Sequence, residues 1–122
     1  MNPKQFLVIG GAVLVLVALL GFFGVVGPGA EQSLFGETWI FTQGENWAHL
    51  VLGIVALVAA FVLPHGVQKW LTILVGLLAL IVAVWGFTLP AEMPNFFGAN
   101  LENPADNILH IVIAVWAFLA SM

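Results

Sequence analysis

Long apolar stretches alternate with short polar ones along this chain. Residues 6–26 carry no polar side chain, and 46–63 is apolar apart from Asn46 and His49. Residues 70–89 are interrupted only by Thr72 and Thr88, and 107–122 forms a fourth, shorter run. About 18 consecutive apolar residues suffice to cross the hydrocarbon core as a helix. The pattern therefore predicts an all-α integral membrane protein with four transmembrane helices. At roughly 1.5 Å per residue the fourth barely spans the core, so its first turn is expected near Ala105. The four runs are apolar all round, as lipid-facing helices are.

Two of the runs open alike. Glu45-Asn46-x-x-His49-Leu50-Val51-Leu52 recurs 61 residues on as Asp106-Asn107-x-x-His110-Ile111-Val112-Ile113. Upstream, an offset of 62 pairs Gly24 with Gly86, Pro28 with Pro90 and Phe35-Gly36 with Phe97-Gly98. The chain thus divides into two helical hairpins, 1–61 and 62–122. An even number of helices per repeat predicts a pseudo-two-fold axis along the membrane normal. The repeat makes the first span the counterpart of the third. It is therefore expected to be a retained helix, and its apolar run exceeds the usual 7–15 residues of a signal-peptide core.

Composition agrees with the pattern. The chain is 62% hydrophobic and only 7% charged, against about 25% charged in an ordinary soluble domain. That excludes a soluble enzyme, a disordered chain and a nucleic-acid binder, for which a basic surface is required. With no cysteine, disulfides and thiolate chemistry are excluded. Charge placement adds orientation. Lys4 precedes the first span and Lys69 lies between the second and third. Glu31, Glu37, Glu45, Glu92, Glu102 and Asp106 all lie on the other two connections. The positive-inside rule puts both termini and the 64–66 turn, with a solvated His65, in the cytoplasm. Loops 27–45 and 90–106 then face outward, and Trp39, Trp47, Trp70 and Trp85 fall where interfacial anchors belong. Trp116 lies deeper.

The candidate chemistry lies at the start of the second and fourth spans. Asn and acidic residues favour helix N-termini, so Glu45-Asn46 and Asp106-Asn107 are expected to start those helices. His49 and His110 share a face with them. Below each His the same face is small: Gly53, Ala56 and Ala60 in one helix, Ala114, Ala117 and Ser121 in the other. Small stripes let membrane helices approach closely. Three readings follow. In the first, spans two and four pack along these stripes, and the His, Asn and acid groups form a hydrogen-bonded clasp at the outer end. In the second, His49 and His110 ligate a tetrapyrrole, haem iron or chlorophyll magnesium, with the small residues leaving room for the macrocycle. Only Thr88, Asn100 and Asn103 are then at hand for its polar groups. In the third, two His and two acids hold a divalent metal. No ionisable residue is expected at mid-membrane depth, where a proton relay needs one. Nor does any nucleophile–base pair or phosphate loop stand out, so no enzymatic activity is expected.

Leu34-Phe35-Gly36, Glu45-Asn46-x-x-His49, Phe97-Gly98 and Asn103-x-Ala105-Asp106-Asn107-x-x-His110 together resemble an uncharacterised bacterial family of small four-helix membrane proteins, catalogued as a domain of unknown function. The resemblance runs from the first span onward. It implies four spans and the bacterial inner membrane, and no activity, cofactor or substrate. The expectation is a non-enzymatic accessory or scaffolding subunit. Its partners would be membrane lipids and other membrane-protein subunits, as in a respiratory or photosynthetic complex, or further copies of itself.

Overall fold

A computed structural model describes residues 1–27, 31, 33–36, 38–90, 92, 95–97 and 99–122. It has four helices: α1 (Pro3–Phe22), α2 (Gln43–Val62), α3 (His65–Gly86) and α4 (Ala105–Ser121). Among the described residues there is no strand, only an isolated bridge between Phe96 and Ala99. The first three helices are long and apolar enough to cross a membrane, while α4 has 17 residues.

Local chemistry sets the helix boundaries, which for α1, α2 and α3 lie earlier than hydropathy placed them, while α4 starts at Ala105 as expected. Asn2 caps α1: its side chain accepts from the Gln5 amide, and Gln5 reciprocates, with Pro3 at the first helical position where its missing N–H is harmless. Thr42 and Glu45 form the same reciprocal box at the start of α2. Only two residues separate α2 from α3, so His65, expected in a solvated turn, is instead the exposed first residue of α3. Beside this turn Gln68 is buried, and its Nε2 donates to the carbonyls of Ala59, Ala60 and Leu63. It thereby occupies the Ala60 and Leu63 carbonyls, which the end of α2 leaves open, while that of Ala59 also accepts from the Leu63 amide. Gly24 (φ +79°) and Gly27 (φ +143°) turn the chain out of α1 through conformations that favour glycine.

The closest packing is within the pairs α1–α2 and α3–α4, and the two hairpins meet chiefly through α1 against α3 and α4. Phe6, Leu7, Ala59, Ala60, Ala117 and Ala120 form a core at one end, with the Trp116 ring 4.5 Å from that of Phe6. Lys4 lies at this end, 5.4 Å from the Phe61 ring, and Lys69 is in the first turns of α3. Glu45, Glu102 and Asp106 are at the opposite end, near the 23–42 and 87–104 connections.

The hairpins bury matching positions. Pro3, Leu7, Gly11, Ala18 and Gly21 of α1 correspond to Gln68, Thr72, Gly76, Ala83 and Gly86 of α3, each 65 residues on. Glu45, Asn46, Gly53, Ala59 and Ala60 of α2 correspond to Asp106, Asn107, Ala114, Ala120 and Ser121 of α4, each 61 residues on. The downstream offset is the one expected. Within the helices the pairing of Gly24 with Gly86 is corrected: the counterpart of Gly86 by burial and contact is Gly21, 65 residues before it. Glycines lie at both places about one turn apart, and only the inner one packs. Pro28 and Gly98 lie outside the described residues.

Candidate functional site

The starts of α2 and α4, expected to hold the chemistry, lie together with the connection before each. Glu45 is the third residue of α2. Its Oε1 accepts from the Thr42 amide and hydroxyl within the capping box, and from the Asn100 amide across the molecule at 2.6 Å. Asp106 is in the first turn of α4. Its Oδ2 accepts from the Glu102 amide at 3.0 Å, and its Oδ1 from the Trp39 indole at 2.9 Å. Glu102 accepts from the Ile40 amide through Oε1 at 3.0 Å, and Asn100 Nδ2 donates to the Ile40 carbonyl at 2.9 Å. The links run both ways. The first hairpin's acid holds the second connection, and the second hairpin's acids hold the first.

Glu45, Glu102 and Asp106 are 8%, 8% and 4% exposed. Charged groups so buried usually have a cation beside them, yet Lys4 and Lys69 belong to the other end. The donors here are amides and an indole. Burial, and then the adjoining Asp106 carboxyl, push the Glu102 carboxyl up to about 9. Its second oxygen, Oε2, is buried without a partner among the described residues.

Asn46 and Asn107 were expected to start the helices. Thr42 and Pro104 hold the cap positions instead, and both asparagines lie inside, 1% and 0% exposed. The amide of Asn46 donates to Gln43 Oε1 at 3.4 Å and that of Asn107 to Asn103 Oδ1 at 3.2 Å. Among the described residues each Oδ1 lacks a conventional donor, and it lies directly over a glycine, Gly21 for Asn46 and Gly86 for Asn107. A Cβ built on either glycine would overlap that oxygen. The contact has the form of a Cα–H···O interaction, common where helices approach closely.

The histidines do not join the clasp. His110 Nδ1 donates to the main-chain carbonyl of Asp106 at 2.6 Å, one turn back in its own helix. His49 packs edge-on against Phe41 with ring centroids 5.3 Å apart, and its Nδ1 is buried without a partner among the described residues. The small stripes are also redirected. Gly53 lies against Gly11 and Val15 of α1, and Ala117 lies against Gly76 of α3. They pack each hairpin internally, whereas α2 and α4 touch little. The expectation that spans two and four pair along these stripes is therefore corrected: a helix has one smallest face, and here its hairpin neighbour occupies it.

The space that a macrocycle would need below each His is thus filled by a helix. An apolar cleft of about 240 Å³ lies elsewhere, lined by Val17, Leu20, Val26, Phe35, Trp39, Phe41 and Leu109, with neither His in its wall. Among the described residues, no three His, Asp or Glu side chains are arranged to hold a metal ion. Sequence reasoning missed Thr42, whose Thr-x-x-Glu spacing is a capping box. It missed Glu102 and the indole of Trp39 as clasp members, which no local pattern distinguishes from interfacial residues.

Comparison with protein-family models, with curated proteins and with solved structures finds no match to this chain.

Proposed function

We propose that this protein is a non-enzymatic, four-span protein of the bacterial cytoplasmic membrane, serving as an accessory or scaffolding subunit. In this reading the two hairpins are related by a pseudo-two-fold axis along the membrane normal. Both termini and Lys69 face the cytoplasm, and the clasp lies at the outer surface. The recurrence of buried positions supports the axis, and the segregation of lysines from acids supports the orientation. The resemblance carried by Asn103-x-Ala105-Asp106-Asn107-x-x-His110 supports the membrane home.

One observation carries the functional reading. The buried acids of the outer end spend their hydrogen bonds on joining the hairpins, while the helix perimeter is apolar and exposed, as at Val55, Val58, Phe61, Leu78, Ile81 and Val115. What such a molecule offers is helix surface, to lipid and to the helices of another subunit or a second copy. Purification in a mild detergent, followed by native mass measurement of the micelle-embedded particle, tests this. The expected result is an oligomer or a co-purifying membrane protein in fixed ratio. A lone monomer would overturn the scaffold reading.

A further inference from the structure

The acids Glu102 and Asp106 hold two successive residues of the other hairpin's connection, Trp39 through its indole and Ile40 through its amide. The Glu102 amide donates to Asp106 Oδ2 at 3.0 Å, which brings the two acids together, and among the described residues Glu102 Oε2 has no hydrogen-bond partner in its buried position. Two carboxylates pressed together without a cation repel. One proton between them converts the contact into a hydrogen bond, Oε2–H donating to the Asp106 carboxylate, while Oε1 still accepts from Ile40. We propose that the Glu102–Asp106 pair is a pH-sensitive latch between the hairpins, closed while it holds one proton and released when it holds none.

The surrounding groups strengthen the argument. From α2, Glu45 and His49 lie near the pair, and from α4, His110. Glu31 and Glu92 on the connections are exposed, and Glu37 lies outside the described residues. No Lys or Arg belongs to this end, so a second negative charge there has no counter-ion. The direction follows from proton binding. Folded Glu102 retains its proton to about pH 9, whereas a free glutamate loses it near 4.5. Between those values the folded state binds more protons than the unfolded one, so stability falls as pH rises. The stabilisation is fully present below the lower value, and the latch itself stays closed until the proton is lost near the upper. Trp39 also lines the apolar cleft, so release frees one of its walls.

A spin label on the cysteine of Thr38→Cys, which has no native cysteine to compete with it, reports on the latch in liposomes equilibrated at each pH. Residue 38 is exposed beside Trp39. The expected spectrum is immobilised at pH 6 and becomes mobile in a transition near pH 9. In Glu102→Gln the amide donates as the acid does, so the label stays immobilised throughout. In Asp106→Asn the repulsion is gone, and the transition near pH 9 is lost. A pH-independent spectrum in the unsubstituted background, or an unchanged transition in Glu102→Gln or Asp106→Asn, would overturn the proposal. The readout is local to one chain and does not depend on any partner subunit.

Discussion

Gly86→Ala is a minimal substitution with a sharply defined expected effect. In an exposed helix the change stabilises by about 1 kcal/mol, because alanine is the better helix former. At Gly86 the new methyl overlaps Asn107 Oδ1 and lies 2.8 Å from its Cγ and 3.2 Å from its Nδ2. Asn107 is 0% exposed, so it cannot swing into solvent. Relief requires α3 and α4 to part, or the side chain to leave its rotamer and surrender the bond to Asn103. Overpacking of this kind costs about 1–3 kcal/mol, and a lost neutral hydrogen bond adds about 1. Set against the propensity gain, the net loss is about 1–3 kcal/mol. Gly21→Ala should match it through Asn46. Gly10→Ala is the control, since nothing lies within 4 Å of its new Cβ. The assay is reversible unfolding in mixed micelles followed by far-UV circular dichroism. A double substitution, Gly86→Ala with Asn107→Ala, removes both sides of the overlap. It should be more stable than the sum of the singles, with a coupling of about 1–3 kcal/mol. The packing argument fails if Gly86→Ala is as stable as Gly10→Ala, or if the double variant is merely additive.

Two further substitutions separate clasp members from bystanders, measured by the same unfolding assay. Trp39→Phe keeps the ring but removes its hydrogen bond to a carboxylate, and should cost about 1.5–3 kcal/mol. His110→Leu removes only a bond to a main-chain carbonyl and should cost less; the reverse order would make the histidine the true clasp. Gln68→Leu leaves the Ala60 and Leu63 carbonyls without the Gln68 amide and should cost about 1–3 kcal/mol. It should also speed proteolysis at the 63–65 turn, and an unchanged cleavage rate would count against its role as a tie.

The helices were legible in the sequence because each is a long apolar run, and membrane-like composition leaves few other structures for such runs. Their ends were less so. Hydropathy registers where polar side chains begin, whereas a helix begins where its first amides find acceptors, and Asn2 and Thr42 supply those outside the apolar run. The doubled Glu/Asp-Asn-x-x-His pattern marks two helix starts that lie together, but only some of its members join elements. Its acids and asparagines do join elements, but the histidines, its most conspicuous members chemically, make no bond between the hairpins. Spacing along a helix tells which side chains share a face, not which neighbour that face meets. Gly53 and Ala117 illustrate the difference: each was free to meet its twin on the other hairpin, yet each meets its own hairpin partner. The short loop between α2 and α3 is no guide to this choice. The glycines Gly11 and Gly76 are, since they let α1 and α3 approach α2 and α4 closely. Complementary glycines on adjacent helices therefore predict pairing better than a matching stripe on distant ones. By the same logic, Asn46 and Asn107 are better understood as half of a contact whose other half is Gly21 and Gly86.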